Sequence, residues 1–234
     1  MDKPHVLKKL DCGISVLFIT DRSQDIVYYE MCIKNGCINE KKKELECAHF
    51  LEHMNACFTS TKYPSAIENA KTISKLGAET NAYTTNYLTR YYIKSTKKYS
   101  NLAMDILIHS FIDFKLNSDA FTKEKQSVIE ELQSNSNSAW SDLDEVAQKH
   151  VYPNHPNSVT LKQRIENTNK LTPDILLRYR KKHYTTNNTT IVVAGNINIR
   201  RHLKVLNDYF KDFKTKHYRQ VYPTKSIRVH KGVH

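Results

Sequence analysis

Two short stretches near the start of the chain, residues 14–20 and 26–33, are rich in β-branched and aromatic side chains and flank the polar segment 21–25, a pattern that predicts two strands joined as a hairpin. From 43 to 58 the β-formers give way to Glu, Leu, Ala, His and Met, which predicts a helix with apolar residues on more than one side, hence a largely buried one. Ile67, Ala70, Ile73 and Leu76 recur at three-residue intervals, and Gly77 stands where a left-handed cap is wanted, so a second helix is predicted over 65–76. The Thr- and Tyr-rich chain from Thr80 through 88–93 suits extended structure. Long helical patterns follow at 100–114 and 118–151, the latter loosened by the Ser/Asn-rich stretch 134–138.

Thr172-Pro173, a cap residue followed by proline, opens a short helix to about residue 183. Residues 189–194 form a β-branched strand ended by Gly195-Asn196, and 200–213 sets Leu203, Leu206, Phe210 and Phe213 on one helical face. Strands mixed with long helices, without regular βαβ alternation, define an α+β domain. One domain is expected over 1–213, with residues 214–234 expected as a basic, poorly patterned tail or as the start of a connection to a second half.

At 234 residues and 39% hydrophobic content the chain can bury a substantial core. No apolar run approaches the roughly 20 residues that cross a bilayer, and the start Met-Asp-Lys-Pro-His lacks a signal peptide's apolar segment, so a soluble intracellular protein is expected. Five cysteines, Cys12, Cys32, Cys37, Cys47 and Cys57, cannot all pair within one chain and are read as reduced thiols. A net charge of +12 would draw any acidic partner, but it is spread in short runs such as Lys41-Lys42-Lys43 and Arg200-Arg201 without aromatic interleaving. These runs are solvated faces, and nucleic acid is not expected as a partner.

Chemistry enters at His49-Phe50-Leu51-Glu52-His53. On a helix His49 and His53 project from one face a turn apart, close enough to grip one ion, and zinc suits that grip. A catalytic zinc takes three protein ligands and keeps a position for water, which Glu52, beside His53, can reach as general base. This His-x-x-Glu-His order is that of the inverted zincins.

A third ligand must come from elsewhere. The stretch 121–132 offers Glu124, Glu130 and Glu131 on a helix anchored by Phe121, Val128 and Leu132. Glu124 and Glu131 are two turns apart and share a face, while Glu130 is turned about 100° from Glu131. One of the Glu130–Glu131 pair could bind metal and its partner support the site. Cys57, four residues after His53, would continue the histidine stripe if the helix reached that far, giving a rival structural metal site.

These residues resemble the pitrilysin/insulinase group of metallopeptidases, which includes the mitochondrial processing peptidases. Besides Ala48-His49-Phe50-Leu51-Glu52-His53-Met54, the resemblance rests on Asn35-Gly36, Lys62-Tyr63-Pro64, the stretch 77–84, the stretch 124–132, His183-Tyr184 and the stretch 191–196, and it covers nearly the whole chain. It implies a mostly antiparallel sheet covered by helices, the mitochondrial-processing-peptidase-like metallohydrolase fold. It further implies His49, His53 and Glu131 as ligands of one Zn2+, Glu52 as base and Glu124 as a supporting acid, with Glu130 the alternative ligand. The stretch Asn81-Ala82-Tyr83-Thr84 resembles the edge strand that holds a peptide substrate by main-chain hydrogen bonds, which implies Asn81, Ala82 and Tyr83 as substrate-binding residues.

Two departures stand out. Glu46 and Cys47 precede Ala48 where the family usually has glycine and a small apolar residue, and Asn55-Ala56-Cys57 replaces an aromatic, glycine-containing stretch. The homologous second domain that closes the family's peptide chamber is not found. The expected function is zinc-dependent peptide-bond hydrolysis by a zinc-bound water that Glu52 activates. The alternative is a catalytically idle, zinc-holding scaffold or subunit that needs a second homologous chain. Expected partners are an unfolded polypeptide substrate and either a homologous second domain or subunit or further copies of this chain.

Overall fold

Alternating inward apolar and outward polar side chains build one six-stranded sheet. The computed structural model describes residues 5–136, 138–153, 155–214 and 217–219, so the expected tail over 214–234 lies almost wholly outside the described residues. The strands are β1 (His5–Lys9), β2 (Ser15–Thr20), β3 (Ile26–Ile33), β4 (Glu79–Thr84), β5 (Thr89–Thr96) and β6 (Thr189–Gly195), in spatial order β1-β2-β6-β3-β5-β4. Every neighbouring pair is antiparallel except β2 and β6. Mixed with helices, this is the α+β architecture, and its mostly antiparallel character holds.

The sheet is one-sided. Val16 and Phe18 of β2, Val27, Tyr29, Met31 and Ile33 of β3, Tyr91 and Ile93 of β5, and Ile191 and Val193 of β6 are buried. Tyr28 and Tyr92, on the opposite pleat, are partly exposed. Helix α1 (Cys47–Ala56) lies on the buried side against β4 and β5, and α3 (Ser100–Ile112) lies against β5 and β3. Two further helices, α4 (Ser118–Asn135) and α7 (Pro173–His183), pack against α1. The outer elements are α2 (Ala66–Lys75), α5 (Ala139–Val151), α6 (Leu161–Lys170), which packs on α4, and α8 (Ile199–Phe210). Among the described residues, no helix is long and apolar enough to cross a membrane.

Burial of α1 is nearly all-round: Cys47, Ala48, Phe50, Leu51, Met54 and Asn55 are buried, leaving His49, Glu52 and His53 partly open on one face. The Phe50 ring sits 5.0 Å from that of Phe121 on α4, an aromatic contact worth about 0.5–1.5 kcal/mol beyond its area that fixes the separation of the two helices. Turn chemistry holds the flanks. A Cβ on Gly36 would lie 2.1 Å from the Thr85 carbonyl oxygen, so glycine lets the segment after β3 close on the β4–β5 turn. Gly77, at φ +59, caps α2 in the left-handed region, as its position predicts.

The expected β2–β3 hairpin does not form. Strand β6 inserts between them, parallel to β2 and antiparallel to β3. Residues 21–25 therefore span two inter-strand spacings, about 10 Å, rather than forming a tight turn. The helix expected from 43 begins only at Cys47, because Glu46 has φ 70, ψ 4. Such a left-handed conformation costs a non-glycine residue about 1–2 kcal/mol. The long pattern over 118–151 divides into α4 and α5 where Ser138 caps the second helix by accepting from the Ser141 N–H. Strand β1 and helix α6 lie where no element was expected.

Candidate metal centre

Helix α1 presents His49 and His53, and α4 presents Glu131, to one point. The His49 and His53 Nε2 atoms are 3.3 Å apart. Glu131 Oε2 lies 3.6 Å from the first and 3.3 Å from the second. Ligands about 2.0–2.1 Å from a tetrahedral zinc lie about 3.3–3.4 Å from one another, so the triangle has the right size for that ion. Among the described residues, this is the only group of three or more His, Cys, Asp or Glu side chains that could hold a metal ion.

The other ring nitrogens explain why these lone pairs converge. His49 Nδ1 is 3.1 Å from Glu46 Oε2, and His53 Nδ1 is 3.3 Å from Glu124 Oε2. A neutral histidine that donates from Nδ1 to a carboxylate keeps Nε2 as an acceptor. Two unprotonated Nε2 atoms and a carboxylate oxygen facing each other at these distances repel unless a cation lies between them, so the donor set fits a divalent metal.

Glu52, between the histidines in sequence, accepts from the Thr84 hydroxyl at 2.7 Å, which fixes one carboxylate oxygen against β4. Glu130 points elsewhere, accepting from the Gln126 side chain at 2.9 Å on the exposed side of α4. Cys57 lies past the end of α1, and its thiol contacts the His53 and Met54 carbonyl oxygens at 3.5 Å. The rival site is therefore not assembled: Cys57 is outside the converging group.

At the start of α1 a second polar cluster adjoins His49. Glu46 is 1% exposed, yet both carboxylate oxygens are engaged, one by His49 and the other by Arg164 of α6. Burial alone would raise the Glu46 carboxyl, but the hydrogen bond with His49 and the Arg164 charge hold it below the usual carboxylate range. Glu40, buried beside it, accepts the backbone N–H groups of Glu46 and Ala48 at 2.9 and 2.8 Å. Burial, reinforced by the Glu46 charge, pushes the Glu40 carboxyl well above that range.

Strand β4 is a sheet edge. Thr85 N–H donates to the Leu88 carbonyl in the turn beyond it, and in an antiparallel ladder bonded and non-bonded pairs alternate. Counting back through the register, Thr84, Ala82 and Thr80 turn their main-chain groups away from β5. The Ala82 N–H is instead taken by its neighbour Asn81 Oδ1 at 2.8 Å. Behind the strand a cavity of about 280 Å³ is lined by Glu52, Ala82, Tyr91, Ile106 and Leu107, among others.

Sequence reasoning missed Glu46 and Arg164 as parts of this region, and it missed the bond from Thr84 to Glu52. Thr84 was expected only as the last residue of the candidate edge strand, and Glu46 was noted only as a departure from a family pattern.

A one-sided α+β sheet, a helix with paired histidines and a carboxylate from a second helix together define the metallohydrolase class of architecture. The chain belongs to the insulinase family, peptidase family M16, whose sequence profile matches residues 15–169. The profile of the M16 inactive domain matches residues 170–233. Similar curated proteins include a zinc protease of Bacillus subtilis, YmxG, 29% identical over 194 residues, a match that covers 82% of this chain and 47% of that protein. The peroxisomal insulin-degrading enzyme-like 1 of Arabidopsis thaliana is 31% identical over 197 residues, covering 81% of this chain and 20% of that one. In fold, the chain matches a protease from Helicobacter pylori with TM-score 0.83 at 22% identity over 95% of its length and 53% of that chain. It matches pitrilysin with TM-score 0.83 at 22% identity, covering 97% of this chain and 25% of that one. The chain spans about half the length, or less, of the curated relatives it matches.

Proposed function

We propose that this chain is the metal-holding half of a zinc metalloendopeptidase, with His49, His53 and Glu131 as the ligands of one zinc ion and Glu52 as general base. The observation that carries the reading is the triangle of 3.3, 3.3 and 3.6 Å between the three ligand atoms. When bound there, zinc would act as a Lewis acid toward water and a peptide carbonyl. Glu52, steadied by Thr84 through one oxygen, would use the other to take a proton from the attacking water and pass it to the departing amine. Glu46 and Glu124 hold the two imidazoles with Nε2 directed inward.

A peptide would lie along β4 as an added strand, bonded to the main-chain groups of Thr80, Ala82 and Thr84, with Asn81 yielding the Ala82 N–H. One substrate side chain would enter the apolar cavity behind Ala82. The test compares zinc content and cleavage of unfolded peptides for the parent and Glu52→Gln. One zinc per chain in both, with cleavage lowered by about 10²–10⁴ in the variant, is the expected result. Equal cleavage by both would refute the role of Glu52.

A second reading is favoured by the chain's coverage of about half of its relatives. In it the same site holds zinc, but cleavage requires a homologous second chain or domain that closes over β4. Absence of cleavage by the zinc-loaded chain alone, and its appearance on adding such a partner, would select this reading.

A further inference from the structure

We propose that Glu46 and Arg164 form a positioning pair for His49: Arg164 clamps the Glu46 carboxylate from outside, and Glu46 accepts the His49 Nδ1–H, aiming Nε2 at the metal and raising the affinity of the centre for it. The inference rests on the reading of His49, His53 and Glu131 as a zinc centre.

Among the described residues, Glu46 is the one non-glycine residue with positive φ. A residue stays in that region only where its surroundings hold it there. Two anchors do so: Glu40 binds the backbone N–H groups of Glu46 and Ala48, and Asn167 of α6 donates to the Leu45 carbonyl oxygen at 2.6 Å. The left-handed turn brings the Glu46 side chain back over the first turn of its own helix, where Oε2 meets His49 Nδ1 at 3.1 Å. Its remaining oxygen meets the Arg164 guanidinium.

A buried carboxylate beside a second buried acid, Glu40, is costly unless it is paired, and Arg164 supplies the pairing. A salt bridge serving only to join α6 to this turn would not need the second oxygen on an imidazole. The arrangement mirrors His53 with Glu124. Each histidine thus has its own carboxylate, one reached through space from α4 and the other through a backbone twist in the same turn. Carboxylates that orient metal-bound histidines contribute about 10–100-fold to metal affinity.

The test measures the zinc dissociation constant of the full chain by chelator competition, together with thermal unfolding in EDTA and the protonated nitrogen of His49 by histidine-selective NMR of the metal-free protein. Expected results are loss of tight binding in His49→Ala, about 10–100-fold weaker binding in Glu46→Gly, and a smaller loss in Glu46→Gln. Arg164→Met should also weaken binding, and Arg164→Lys should recover part of the loss. In Glu46→Gly the Nδ1 proton signal of His49 should disappear, although glycine suits the left-handed backbone better. Zinc affinity of both Glu46→Gly and Glu46→Gln within about threefold of the parent, with His49→Ala still losing it, would overturn the positioning role alone. Undiminished zinc binding in His49→Ala would overturn the metal-centre reading beneath it. If Glu46→Gly fails to fold, zinc affinity of both Glu46→Gln and Arg164→Met within about threefold of the parent would overturn the positioning role.

Discussion

Thr84, the last residue of β4, donates its hydroxyl to Glu52 Oε2 at 2.7 Å, which ties the edge strand to the helix carrying both histidines. In the proposed mechanism this bond sets which Glu52 oxygen faces the reacting water. Thr84→Val removes the donor at nearly constant volume. Zinc content should not change, while kcat should fall about tenfold, equivalent to about 1.4 kcal/mol of lost transition-state stabilisation. Unchanged steady-state kinetics would show that Glu52 needs no such support.

Adjacent glutamates on α4 should behave differently. Glu131→Gln replaces an oxygen within 3.3 Å of His53 Nε2 and is expected to weaken zinc binding by roughly 100-fold or more. Glu130→Gln changes an exposed side chain engaged with Gln126 and should leave zinc affinity as it was. Competition with a chelator of known affinity measures both.

Proline at Ala82 tests the edge strand. Its N–H turns away from β5, so Ala82→Pro leaves the β4–β5 ladder paired while deleting a main-chain donor that an added peptide strand would use. With the active assembly, KM for peptides should rise by about tenfold, the equivalent of one lost hydrogen bond of about 1–1.5 kcal/mol, while thermal stability changes little. A rise in unfolding sensitivity with KM unchanged would remove Ala82 from substrate binding.

His183 gives a pH dependence that does not involve the metal site. The ring is fully buried between Tyr179 and Tyr218, with centroids 4.3 and 4.7 Å away, and neither ring nitrogen has a hydrogen-bond partner among the described residues. Burial, aided by Lys182 and Lys41, lowers its pKa from 6.5 to about 3. The unfolded chain therefore binds a proton on this residue before the folded one does. The stabilisation from a neutral His183 is complete above pH 6.5 and is lost progressively down to about pH 3, at up to about 1.4 kcal/mol per pH unit. His183→Phe should flatten the denaturant midpoint across that window, and an unaltered slope would contradict the assignment.

The helix of the candidate metal centre was legible because its information is local: a spacing of four sets His49 and His53 on one face whatever surrounds them. The α+β class and most element positions were legible for the same reason. Strand order was not, since alternation fixes which pleat is buried but not which strand lies alongside, and β6 reaches β2 and β3 from the far end of the chain. Thr84 carries no mark of its role, because its bond to Glu52 joins residues far apart in sequence. At Glu46 the sequence showed an acid where the resemblance has glycine. Only the backbone shows that the acid keeps the glycine-type φ and uses it to face His49. Arg164 lay in a segment without an assigned element, although Thr160 and Gln163 form the capping box that opens α6.

Insertion of β6 between β2 and β3 also constrains how the molecule is made. The pairings flanking β6 close loops of well over a hundred residues, and such distant contacts slow folding because loop entropy is lost before they are gained. On the ribosome, α1 and α4 emerge before the strand that joins the two parts of the sheet. Until residue 195 is available, β2 and β3 each lack a neighbour, and the nascent chain exposes unpaired strand edges that invite association with other chains. Maturation of the site is thereby timed by its last strand, and a ribosome-bound chain truncated before β6 should be degraded or held by chaperones rather than fold.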